Sequence, residues 1–168
     1  MIFGATAAMG TPSVTRLVDS TTSDTMNLQV TDGTTPTFTA VSMANEEIIN
    51  ISEYGTDSTA AVAVALGTVT ATSLLNLTVT GTNNHSLALS GNTATTTINA
   101  SAATGTFNLS ANGSTVSQTI TGSATAASTL TGGTTSDSIS GQRRPKPPSA
   151  HRTVRTDPYT APHARRIH

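Results

Sequence analysis

The sequence predicts an all-β protein: a parallel β-solenoid of short strands followed by a disordered basic C-terminal tail. Three observations lead there. Ser and Thr supply 55 of the 168 residues, with 22 Ala and 13 Gly; β-branched Thr and Val suit a pleated surface and disfavour helix. Aromatic residues are 3% and charged residues 10%, too few aromatics for a thick core and too little charge for a chain disordered throughout. Large apolar residues recur at a loose period near ten in residues 74–141.

The elements follow in chain order. Residues 1–25 carry no clear period. Met26-Asn27-Leu28-Gln29-Val30 alternates apolar and polar, the pattern of a half-buried strand, and Asp32-Gly33 marks a turn. Thr37-Phe38-Thr39-Ala40-Val41 reads as a second strand. Glu46-Glu47-Ile48-Ile49-Asn50-Ile51 fits a strand or a short helix, and its β-branched Ile residues favour strand. Val62, Val64 and Leu66 alternate with Ala before Gly67.

A unit then repeats: an apolar residue, usually a second two places on, Ser or Thr, and often Gly. Its copies open at Leu77, Leu87, Ile98, Phe107, Ile120, Leu130 and Ile139, in steps of 10, 11, 9, 13, 10 and 9 residues. Strands at this spacing can pair antiparallel in a sandwich, which is the alternative architecture. They can also be rungs of a solenoid, each strand pairing with its equivalent one coil away. One or two large apolar residues per repeat are few for a sandwich strand but enough to stack into ladders inside a narrow coil. With two repeats per coil and about 4.8 Å per rung, 74–141 makes roughly three coils.

Charge divides the chain. Residues 1–141 hold one base, Arg16, and eight acids; residues 142–168 hold seven bases and one acid, Asp157. The tail also has five of the seven Pro, three of the four His and no Gly. This asymmetry marks a domain and an extension. The expected organisation is an irregular N-terminal β segment over 1–57, the repeat region over 58–141, and the Arg/Pro/His-rich tail over 142–168.

Several function classes find no support. The absence of Cys excludes disulfides and thiolate metal sites. No apolar run reaches the roughly 18 residues of a membrane-spanning helix. No phosphate-binding Gly-Lys-Ser/Thr loop and no Gly-x-Ser-x-Gly elbow occurs, so an enzyme is not expected. Glu46 and Glu47 are adjacent, and in a strand they would face opposite ways, which precludes a carboxylate pair. His85 reads as a lone loop histidine, and Asp19, Asp24, Asp32 and Asp57 as solvated loop carboxylates. The tail has one aromatic residue, Tyr159, so nucleic-acid binding is not expected.

One motif carries chemistry. Gly132-Gly133-Thr134-Thr135-Ser136-Asp137-Ser138-Ile139-Ser140 matches the calcium-binding nonapeptide G-G-x-G-x-D-x-U-x at Gly132, Gly133, Asp137 and Ile139, with Thr135 where a third Gly belongs. In such a turn glycines with φ > 0 aim carbonyls at a hard cation and the Asp carboxylate completes part of its shell. The candidate metal residues are therefore Asp137, Gly132, Gly133 and Thr135, with calcium as the ion. One turn supplies only some of calcium's six to eight oxygens, so a neighbouring repeat must add the rest.

These features, with Leu74-Leu75-Asn76-Leu77-Thr78-Val79-Thr80-Gly81, Thr97-Ile98-Asn99-Ala100-Ser101 and Ile120-Thr121-Gly122 leading into the Gly/Asp turn, resemble the β-strand-repeat region of bacterial surface-layer and related RTX-type exported proteins. The resemblance implies a structural, extracellular, calcium-assisted protein acting in cell-surface assembly or adhesion. Its expected partners are further copies or neighbouring β-repeats and cell-surface polysaccharide. It also implies type I export, which uses no N-terminal signal, and Met1-Ile2-Phe3-Gly4 lacks the basic start of one. A carbohydrate- or host-binding adhesin or fibre module without calcium is the competing expectation. The family's array would continue past Gly141; Gln142-Arg143-Arg144-Pro145-Lys146-Pro147-Pro148 does not continue it, and the tail reads as an out-of-frame translation or a genuine basic extension.

Overall fold

A computed structural model describes residues 2–3, 8–9, 13–15, 23–31, 35, 37–54 and 63–141. The tail expected over 142–168 and the 57/58 boundary lie outside the described residues, as do Asp19, Asp32 and Asp57. The described residues form strands and turns without a helix.

The strands are β1 (Ile2–Phe3), β2 (Ala8–Met9), β3 (Ser13–Thr15), β4 (Thr25–Thr31), β5 (Thr37–Phe38), β6 (Ala40–Ala44), β7 (Ile48–Tyr54), β8 (Ala63–Thr70), β9 (Asn76–Gly81), β10 (Asn84–Leu89), β11 (Thr97–Ala103), β12 (Phe107–Ser110), β13 (Thr119–Thr121), β14 (Thr129–Thr131) and β15 (Ser138–Ser140). They alternate between two sheets. The first runs β1-β4-β7-β9-β11-β13-β15; the second runs through β14, β12, β10 and β8 to β5 with β2 and β6 with β3. Every pairing is parallel. This is a β-solenoid, and the antiparallel sandwich is excluded. The ambiguous segment after Glu47 is a strand, and β4 through β7 join the same two sheets as the later repeats.

The period near ten is half a coil. Asn76, Thr97, Thr119 and Ser138 stack in register, so successive coils take 21, 22 and 19 residues. Inside the first sheet Met26, Ile49, Leu77, Ile98, Ile120 and Ile139 form one continuous ladder. Inside the second, Leu87, Leu109 and Leu130 stack. Phe107 begins its repeat but stacks on His85, because β10 and β12 come into register two residues before Leu87 meets Leu109. Ladders suffice as a core: each side chain is covered above and below by its equivalents and across by the facing sheet. Burying one Ile or Leu in this way contributes about 1.5–3 kcal/mol.

Glycine is required where coils approach closely. A Cβ on Gly105 would lie 2.1 Å from the carbonyl oxygen of Asn83. Gly67, at φ 59, faces the Phe38 and Thr39 carbonyls in the same way.

Candidate functional site

The polar side chains that could carry chemistry sit at the corners, where the chain passes from one sheet to the other. Asp24, Glu47, Leu75, Thr96, Gln118 and Asp137 occupy one register position, directly before β4, β7, β9, β11, β13 and β15. Twice an acid at this position makes the same bond to the coil before it. The Asp24 N–H donates to Glu47 Oε2 at 2.9 Å, and the Gln118 N–H donates to Asp137 Oδ1 at 2.9 Å. A carboxylate here satisfies an amide that precedes the strand ladder, and charge-assisted bonds of this kind are the stronger ones.

Gln118, 2% exposed, ties three coils. Its Nε2 donates to the Thr95 carbonyl at 3.2 Å and its Oε1 accepts from the Gly133 N–H at 3.0 Å. The opposite corners use the same device. Glu53 accepts from the Asn83 N–H and from Thr82 Oγ1. Asn84 Oδ1 accepts from the Thr106 N–H at 2.8 Å. Asn92 Oδ1, at the first kind of corner, accepts from the Ala71 N–H at 2.9 Å. Sequence reasoning missed Gln118, Glu53, Asn84 and Asn92. The available signal was an amide or carboxylate beside a strand end, recurring at the coil period of about twenty rather than at the half-coil period of ten.

The candidate calcium turn spans the corner between β14 and β15. Asp137 is half-buried with Oδ1 engaged by Gln118, and Thr135 is exposed. Gly132 and Gly133 do not lie in the left-handed region. That corrects the expectation that φ > 0 requires them. Close approach requires them instead: a Cβ would stand 2.1 Å from Asp137 Oδ2 at Gly132 and 2.4 Å from the Ser114 carbonyl oxygen at Gly133. Among the described residues no three His, Asp or Glu side chains are grouped to hold a metal.

Three further expectations need correcting. Asp24 is not a solvated loop carboxylate; it is buried at a corner. Glu46 and Glu47 do not splay to opposite faces of a strand, since both are buried in the turn before β7, which Asn45 enters at φ 66. His85 is not on a loop. It lies in β10, 1% exposed, stacked between Val64 of β8 and Phe107 of β12, and neither ring nitrogen has a hydrogen-bond partner. Burial pushes its pKa down from 6.5 to about 4, so the imidazole is neutral at pH 7.

The outer faces are uncharged where they are regular. On the first sheet Asn27, Asn50, Thr78, Asn99, Thr121 and Ser140 stack outward, with Asn50 Nδ2 donating to Asn27 Oδ1 at 2.9 Å. On the second sheet a shallow trough of about 450 Å³ crosses β8, β10, β12 and β14, lined chiefly by Ser86, Ala88, Asn108, Ser110, Thr129 and Thr131. No helix among the described residues is long and apolar enough to cross a membrane.

The fold and its corners define a parallel β-solenoid whose coils are joined by side-chain ties. Compared with known proteins, the chain matches no family model, no curated sequence and no solved structure.

Proposed function

We propose that the chain is a structural β-repeat segment of an extracellular protein, acting in cell-surface assembly or adhesion. The observation that carries this reading is the use of its polar side chains. Glu47, Glu53, Asn84, Asn92, Gln118 and Asp137 are all engaged in joining one coil to the next. Such a chain gains cohesion along its axis, the property a surface scaffold needs. The reading agrees with the resemblance to surface-layer and RTX-type proteins.

Calcium enters this proposal at Asp137. Its turn closes the last described coil, so the remaining oxygens of a calcium shell would come from a further turn laid over it. Cation binding to the folded form alone would then favour the coiled state.

The test is fractionation of producing cells, with and without a calcium chelator. The protein is expected in the surface wash, with more released by the chelator; retention inside the cell would overturn the proposal. Asp137→Asn isolates the calcium part. Asn keeps an oxygen for the Gln118 N–H, so stability without calcium should hold while the chelator response disappears. An unchanged response removes calcium from the reading.

The trough on the second sheet favours a second reading, a module that binds neutral polysaccharide, since its lining offers hydroxyls and amides and no charge. Glycan-array binding lost in Ser110→Arg would support it.

A further inference from the structure

We propose that the C-terminal rung of the solenoid docks the N-terminal rung of a second copy of this chain, so that copies stack head to tail. The ladder itself points there. Ile98 and Ile120 are fully buried, whereas Ile139, next in the same ladder, is 47% exposed. Leu130, above the buried Leu109, is likewise only partly covered. Both side chains face the interior of a coil whose upper side is open.

The backbone is open at the same places. The Ser138 N–H donates back to the Gln118 carbonyl, and the Ser140 carbonyl accepts from the Gly122 N–H. Alternation along a parallel ladder therefore turns the N–H and C=O of Ile139 outward. On β14 the Thr131 carbonyl accepts from the Ala111 N–H, which turns those of Leu130 outward as well. Natural sheet edges are usually blunted by charge, proline or a bulge. Thr129-Leu130-Thr131 and Ser138-Ile139-Ser140 contain no charge and no proline.

A second copy fits this face better than a loose peptide. The face needs two strands at once, one for each sheet, both running in the same direction as those below. The N-terminal end of the chain offers that pair: β1 opens the first sheet, and β2 and β3 open the second. The footprint is also adequate. A coil of 19 to 22 residues compares with the roughly 20–30 residues per side of a standard specific interface. The two surfaces differ, so the contact is heterologous and does not close, giving open filaments. The inference rests on the structural reading but fails separately from it, because a monomer can still reside at the cell surface.

The experiment is sedimentation velocity of the full chain over a dilution series, beside Ile139→Asp and Asn99→Asp, each checked for retained β circular dichroism. Wild type should associate more with rising concentration. Ile139→Asp should associate about tenfold or more weakly, while Asn99→Asp, on an outer face, should match wild type. Because the chain has no Cys, a Phe3→Cys, Ser140→Cys double variant provides an independent readout. On oxidation it should give a ladder of covalent multimers, and Ser140→Cys alone should give none. A monomeric wild type with slow exchange at the Ile139 and Leu130 amides would mean that residues 142–168 cover the rung, and would overturn the proposal. So would dimers from Ser140→Cys alone, or dissociation by Asn99→Asp and not by Ile139→Asp.

Discussion

Acid should loosen this solenoid at one identifiable side chain. His85 is neutral at pH 7, enclosed by Val64 and Phe107, and has no group to accept a proton's hydrogen bond. None of the other described strands of the second sheet carries a charged side chain. The nearest described acid along the corner is Glu53, held by Thr82 and the Asn83 N–H. Unfolding returns the imidazole to a pKa near 6.5, against about 4 in the fold. The unfolded chain therefore binds the proton first. The folded state keeps its full margin above pH 6.5, loses it as the pH falls from 6.5 to about 4, and loses no more from this group below that. At 1.36 kcal/mol per unit the loss totals about 3 kcal/mol, a large share of the 5–15 kcal/mol typical of a folded domain.

The assay is urea unfolding followed by circular dichroism, in steps from pH 7 to pH 4, for wild type and His85→Leu. Leucine has a similar volume and no titrating group. The variant should be at least as stable as wild type at pH 7, because it removes two unpaired ring nitrogens, and its stability should fall less steeply between pH 6.5 and 4. The tail histidines are common to both proteins and cancel in the difference. Parallel pH profiles, or an imidazole resonance of His85 titrating near 6.5, would refute the argument.

The ladder should show a gradient of cost. Ile120→Ala, fully buried, should destabilise by about 2–5 kcal/mol, while Ile139→Ala, half exposed at the end of the same ladder, should cost a fraction of that in the same urea titration. Gln118→Leu strands the Gly133 N–H and the Thr95 carbonyl, at about 1–3 kcal/mol for each group left unpaired; Gln118→Glu should restore the first bond and not the second. Gly105→Ala should lower the thermal midpoint markedly, because its Cβ would meet backbone at the Asn83 carbonyl, which cannot swing aside. A midpoint within a degree or two of wild type would show that the coils are spaced more widely at that corner.

Much of the fold was legible in the chain. Thr and Val content, the recurrence of one apolar residue per half-coil, and the scarcity of aromatics were enough to choose a stacked parallel architecture over a sandwich. Local patterning works because in a solenoid each rung makes nearly the same contacts as its neighbours. The positions of Leu77, Leu87, Ile98 and Ile120 follow from period alone. The glycines of the Gly132-Gly133 turn were legible as a turn, but the reason for them was not: a clash with the coil below is a distance between residues some twenty apart.

The corners were decided by tertiary structure. In one dimension Gln118, Glu47 and Asp137 are an amide and two acids in unrelated contexts; in the solenoid the coil lengths of 23, 22 and 19 residues bring each to the same place before a first-sheet strand. His85 shows the same limit. Its neighbours Asn83, Asn84 and Ser86 read as a polar loop, and only the register against Val64 and Phe107 carries the imidazole inside. Sequence determined that aliphatic side chains would stack, since that depends on spacing along the chain. Which polar groups are enclosed or tied depends on coil-to-coil register, which only the folded chain fixes.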